Sequence, residues 1–102
     1  FAPMGPVLVH HSVMPAPKDI TVQCFVNGEL RQSETFDHLI FDVPRIIATL
    51  SSGMTLLPGD IIATGTPAGV GMGFTPPKYL QPGDEVVVDV TGVGELRNPV
   101  VA

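Results

Sequence analysis

The chain has 102 residues and a formal net charge of −5. That length bounds it to one modest domain, and the acidic balance disfavours nucleic acid and anionic membrane surfaces as partners. Hydrophobic residues at 44% against 15% charged exclude a disordered chain, while eleven Gly and eleven Pro point to turns and short strands rather than a helical bundle.

The chain opens on Phe1-Ala-Pro-Met-Gly-Pro6 with no initiator Met, and so reads as a segment of a longer polypeptide. Pro3, Gly5 and Pro6 make this opening a loop, and Val7 to His10 is expected to form a short strand. In such a strand His10 and His11 would face opposite sides and could not chelate one metal together. Ser12 to Lys18, with Pro15 and Pro17, reads as an extended connector.

From Ile20 to Val26 apolar and polar residues alternate, and Asn27-Gly28 follows at once, a strong hairpin signal. Glu29 to Thr35 is then the return strand. Cys24 lies inside the first of these strands, and as the only cysteine it excludes an internal disulfide; it reads as a buried structural thiol. His38, between Asp37 and Leu39, reads as a surface or capping residue.

Asp42 to Ser52 is the one helix expected. Asp42 can cap it, Pro44 suits its first turn, Ile46, Ile47 and Leu50 make an apolar stripe, and Gly53 can end it.

Leu57 to Gly71 is the most informative run. Pro58-Gly59 suits the centre of a type II turn, with Asp60 bonding nearby backbone. Ile61 to Ala63 is expected as a short buried strand, closed by Thr64-Gly65-Thr66-Pro67. Gly65, Gly69, Gly71 and Gly73 admit two readings. They let backbone N–H groups approach an oxyanion, with Thr64 and Thr66 adding hydroxyls, or they answer only a need for positive φ. The run is neither a Walker A loop nor a dinucleotide fingerprint, since neither the Lys nor the spacing is present. Pro82-Gly83-Asp84 echoes the turn and leads into the strand Val86 to Val90; a short strand about Leu96 follows the kink at Gly92-Val-Gly94. The order of elements gives a β-rich α+β domain.

The ten Asp and Glu residues show no local trio suited to Mg²⁺ or Mn²⁺, and neither a His-Glu-X-X-His nor a Gly-X-Ser-X-Gly pattern occurs. The cations Lys18, Arg31, Arg45, Lys78 and Arg97 are scattered, and no apolar stretch approaches the ~20 residues of a membrane helix.

Several phrases in order resemble the C-terminal half of the fumarylacetoacetate hydrolase family. They are Phe1 to Pro6, Val26 to Glu29 with Gln32, Arg45 to Ile47 with Ser51-Ser52, Leu57 to Gly71, Tyr79 to Val87, and Gly92 to Leu96 with Asn98. The likeness covers nearly all of residues 1–102, assigning them to the C-terminal portion of the family's catalytic domain, and is closest to members acting on β-keto acids and acylpyruvates, including the oxaloacetate tautomerase-like branch. It implies a mixed β-sandwich roll, of which this is the C-terminal part, and a Mg²⁺ or Mn²⁺ site. The chemistry implied is hydrolysis of a C–C bond, decarboxylation or keto–enol tautomerisation of a small keto acid. It implies substrate contact by Thr66, with Gly65 beside it. The family's Glu-X-Glu and Asp metal ligands, its lysine and its His/Glu pair all precede this segment, so no catalytic or metal-binding residue is carried over. The segment alone is therefore expected to be inactive, and to act as part of an enzyme, in a homodimer or paired with the missing N-terminal half, in the cytosol or mitochondrion. The alternative is a truncated, non-catalytic module that associates through its open strand edges.

Overall fold

The computed structural model describes residues 2–102, so Phe1 lies outside the described residues. Four strands form one antiparallel sheet: β1 (Thr21–Val26), β2 (Glu29–Thr35), β3 (Glu85–Val90) and β4 (Gly94–Pro99), in the order β2-β1-β3-β4. Among the described residues a single α-helix, α1 (Val43–Ser51), follows β2. The expected β-rich α+β class is what the chain adopts, and the sheet in the described residues is wholly antiparallel.

The elements form where local chemistry demands them. Asn27 at φ 50° and Gly28 at φ 80° turn β1 into β2, both in the left-handed region that a two-residue hairpin needs. The Asp42 carboxylate accepts from Arg45 N at 2.9 Å and caps α1, with Pro44 in its first turn. Val43, Ile46 and Leu50 turn inward on α1; Ile47, expected in the stripe, is exposed.

The two Pro-Gly-Asp turns are copies of one another. Asp60 N donates to Leu57 O and Asp84 N to Gln81 O, both at 3.0 Å, while each aspartate accepts from the residue three before it. Gly59 and Gly83 have φ of 98° and 97°. Their sequels differ. The run after Asp84 becomes β3 because β1 and β4 pair with it on both sides. The run after Asp60 has no strand beside it, so the strand expected at Ile61 to Ala63 does not form and Ile61 is 71% exposed. The strand expected at Val7 to His10 is likewise absent. His10 instead caps a 3-10 turn at His11–Val13, and the two histidine rings lie 4.4 Å apart rather than on opposite faces.

Between β1 and β2 the register slips at Cys24/Phe25: Cys24 faces Gln32 and Phe25 faces Leu30, leaving Arg31 without a partner. This bulge adds one residue to β2. Cys24 is half-buried rather than buried, and desolvation raises its thiol pKa, partly offset by Arg31.

Only Ile20, Val26 and Val87 are buried among the described residues, while Leu8 is 100% and Ile40 93% exposed. The accessible surface is 7727 Å², against about 5,500 Å² for a compact monomer of this size. The radius of gyration is 15.2 Å, against about 13 Å for a compact chain of this length. The excess is apolar surface that the sheet and α1 leave uncovered. Among the described residues no helix is long and apolar enough to cross a membrane.

Asp84 ties the hairpin turn to the start of β3. Its carboxylate accepts from Gln81 N and from Asn27 Nδ2, both at 2.8 Å, and these bonds, the backbone one first, hold its pKa below the ordinary value of 3.8. A carboxylate with a depressed folded pKa stabilises the fold above its unfolded pKa and loses that contribution as the pH falls through the folded one. Asp84→Ala is expected to lower the Tm by a few degrees at pH 7. The gap to wild type should close as the pH drops below 3.8, as followed by circular dichroism melts.

Candidate functional site

One face of the sheet carries Val22, Cys24 and Val26 of β1, Gln32 and Glu34 of β2, and Val86 of β3, by the strand registers. Parts of the segment 64–80 line two clefts, residues 64–67 the first and residues 69–72 with 78–80 the second, and Gln32 lines the second.

The first cleft, about 350 Å³, has Thr64, Gly65, Thr66 and Pro67 on one wall. Val22, Phe36, Leu39, Phe41 and Ile46 make the apolar remainder, so β1, the end of β2 and α1 all contribute. Two ionisable groups open onto it, Glu34 and His38. Glu34 Oε1 accepts from Thr35 N at 3.0 Å and bonds His38 Nδ1 at 2.8 Å, and these bonds, the backbone one first, lower the Glu34 pKa. An apolar cleft with a few hydroxyl and charged groups on its wall suits a small polar molecule with a carbon skeleton.

The second cleft, about 550 Å³, lies under Gly69 to Met72 and Lys78 to Leu80. Arg31 and Gln32 both line it, although neighbours in a regular strand point to opposite faces. The bulge at Arg31 makes this possible. Glu29 bridges Arg31 Nη2 at 3.3 Å and Lys78 Nζ at 2.6 Å, and both cations lie over the Phe74 ring, at 5.4 and 4.8 Å. The Lys78 hydrogen bond, with the nearby Arg31 charge, holds the Glu29 pKa down.

The glycines of the run differ in what lies beside them, although Gly65 and Gly69 both have the positive φ of the second reading. At Gly69, φ 105°, an added Cβ would sit 1.9 Å from Arg31 O; at Gly71 it would sit 2.4 Å from Lys78 O. These glycines admit the chain's own backbone. At Gly65, φ 106°, nothing lies within 4 Å of that position, so this glycine leaves open space at the cleft wall. Thr66, next to it, is exposed, and its Oγ1 accepts from Gln32 Nε2 at 2.8 Å. The same nitrogen donates to Pro67 O at 2.7 Å.

Both residues expected to contact substrate, Gly65 and Thr66, therefore stand together on one cleft wall. The sequence marks Gln32 only as part of a longer phrase; its position beneath the threonine depends on a register slip that no local pattern signals. Among the described residues no three His, Cys, Asp or Glu side chains gather where they could hold a metal ion.

Comparison with known proteins decides the family. A family model described as fumarylacetoacetate (FAA) hydrolase C-terminal matches residues 1–101. The chain belongs to the fumarylacetoacetate hydrolase family. It is 55% identical over 98 residues to the oxaloacetate tautomerase YisK of Bacillus subtilis (strain 168), a match covering 96% of this chain and 33% of that protein. A fumarylacetoacetate hydrolase from Exiguobacterium antarcticum superposes with a TM-score of 0.93 at 51% identity, covering 98% of this chain and 36% of that one. A maleylpyruvate hydrolase from Sphingobium sp. SYK-6, solved in complex with manganese(II) and pyruvate, gives 0.84 at 40% identity, covering 95% and 34%. The chain thus has the family's fold over nearly its whole length, and it spans about a third of the length of the curated relatives it matches.

Gly69→Ala is expected to push segment 64–80 off β2, because both the positive φ and the Arg31 carbonyl exclude a methyl there. Strain of about 1–3 kcal/mol would lower the Tm, and the Gln32 side-chain amide resonances should lose the shifts imposed by Thr66 and Pro67. Unchanged amide shifts and Tm would contradict this placement of the loop.

Proposed function

We propose that this segment supplies the Gly65-Thr66-Pro67 wall to the active site of a divalent-metal-dependent enzyme acting on β-keto acids or 1,3-dicarbonyl acids. The observation that carries the reading is the Thr66 hydroxyl, exposed on the wall of an apolar 350 Å³ cleft with open space at Gly65 beside it. A keto acid offers what such a wall recognises: acceptor oxygens on a short carbon skeleton. Thr66 donates a hydrogen bond to one of those oxygens, and the apolar wall from β1 and α1 holds the carbon chain and limits water. Opening Gly65's side-chain position lets the ligand come up against backbone.

The relatives support the reaction class. They include an oxaloacetate tautomerase and a maleylpyruvate hydrolase bound to manganese(II) and pyruvate. Cleavage of a C–C bond, decarboxylation and keto–enol tautomerisation of such acids share an enolate-like intermediate, so one oxygen-binding wall serves all three. Mg²⁺ or Mn²⁺ fits this chemistry, but the described residues do not gather a ligand set for it. The metal's place is therefore with parts of the enzyme other than this segment, and the role left to these residues is binding and orientation.

The uncovered apolar surface supports the same arrangement. Ile40 and Phe41, both exposed, flank the first cleft. In our reading they pack against the enzyme's N-terminal half, in the same protomer or across a homodimer.

Intact-mass spectrometry and metal-dependent assays test the proposal together. The 102-residue chain alone should show no turnover of oxaloacetate or an acylpyruvate with Mg²⁺ or Mn²⁺, whereas the complete polypeptide carrying it should. In that polypeptide Thr66→Val should cost about tenfold or more in kcat/KM, with only a small fall in Tm because the Gln32 bond to Pro67 O remains. Turnover by the short chain alone, or an indifferent Thr66→Val, would refute the assignment.

A further inference from the structure

The bond between Gln32 and Thr66 has a direction, and the direction constrains the ligand. Gln32 Nε2 lies 2.8 Å from Thr66 Oγ1 and 2.7 Å from Pro67 O. A proline carbonyl can only accept, so the side of the amide that faces the loop is its nitrogen, with one proton for each oxygen. Thr66 Oγ1 is then an acceptor toward Gln32, and its own proton has no acceptor among the described residues. A hydroxyl that accepts from an amide is polarised into a better donor.

Gln32 is itself held in place. It is half-buried on β2 opposite Cys24, one residue past the bulge, and both of its amide protons are engaged. The two bonds fix the threonine and the next peptide as one rigid unit, which orients the hydroxyl before any ligand arrives.

We propose that Gln32 is the positioning residue of Thr66: its amide takes one lone pair of the threonine hydroxyl, orients it and leaves its proton free, which favours an oxygen acceptor, a ketone or carboxylate oxygen, as the ligand atom met there. The proposal rests on the keto-acid reading above and adds to it the identity of the group that sets the donor. Gln32 touches no reacting atom and acts only through Thr66.

The test is a double-mutant cycle in the complete polypeptide loaded with Mn²⁺, with oxaloacetate as the probe and a melt for each variant. Gln32→Met removes both donors while keeping length. It should lower kcat/KM by about tenfold, and Gln32→Met with Thr66→Val should be no worse than Thr66→Val alone within about twofold. Gln32→Glu supplies a further readout, its activity profile set against its Tm at each pH, because a merely structural role would move the two together. Its activity relative to wild type should be highest at low pH, where the neutral acid still donates one proton, and fall as the carboxyl ionises and begins to accept from Thr66. A Gln32→Met loss that adds in full to the Thr66→Val loss would overturn the proposal, as would a Gln32→Glu ratio flat with pH. If Gln32→Met does not fold, the Gln32→Glu profile decides alone. An inactive wild type would refute the keto-acid reading and with it the ligand assigned here, a result distinct from an active wild type indifferent to Gln32.

Discussion

The slip in register at Cys24/Phe25 governs how the rest of the chain can be arranged. An extra residue in β2 leaves the Arg31 carbonyl out of the ladder, and that carbonyl is what Gly69 packs against. The same slip brings Arg31 and Gln32 to one face, where a regular strand would separate them. Segment 64–80 is then fastened to β2 at three points: Gln32 on Thr66 and Pro67, Arg31 O on Gly69, and Glu29 on Lys78. Remove the bulge and either Gln32 or Arg31 turns to the far face, and the loop that carries Thr66 loses one of its anchors.

The fastenings differ in kind. The Glu29–Lys78 pair is exposed, and pairs of that sort contribute little and weaken with salt. The Gly69 contact is steric and tolerates no side chain. The Gln32 bonds are directional, the one to Thr66 exposed and the one to Pro67 O partly buried. The steric and directional contacts therefore set where Thr66 stands, and the ion pair with the Phe74 ring above it serves to close the outer part of the loop over the second cleft.

What could be read from the sequence was what local chemistry decides. Asn27-Gly28, Asp42 with Pro44, and the two Pro-Gly-Asp turns each carry their own instructions within four residues, and each forms where expected. Strands are different, because an apolar run becomes a strand only when a neighbour offers a ladder. Val86 to Val90 has neighbours on both sides; Ile61 to Ala63 and Val7 to His10 have none among the described residues and stay irregular. The same limit hid the bulge, and with it the place of Gln32. Family resemblance points to Thr66 and Gly65, whereas the composition of the glycine run leaves its purpose open.

The glycine run shows why composition could not settle that purpose. Gly65 and Gly69 have nearly the same φ, 106° and 105°, and would look alike in any local analysis. What distinguishes them is the volume beside each Cα: a backbone carbonyl at Gly69, nothing at Gly65. At Gly69 the missing side chain lets the loop sit against β2, and at Gly65 it leaves the cleft wall open beside Thr66. Anchoring must come first physically, because a hydroxyl on a free loop would spend its donor on solvent and lose the orientation that the Gln32 amide imposes. Glycines of one backbone type thus serve two ends of one loop, one set against the protein's own carbonyl and one standing open beside the threonine.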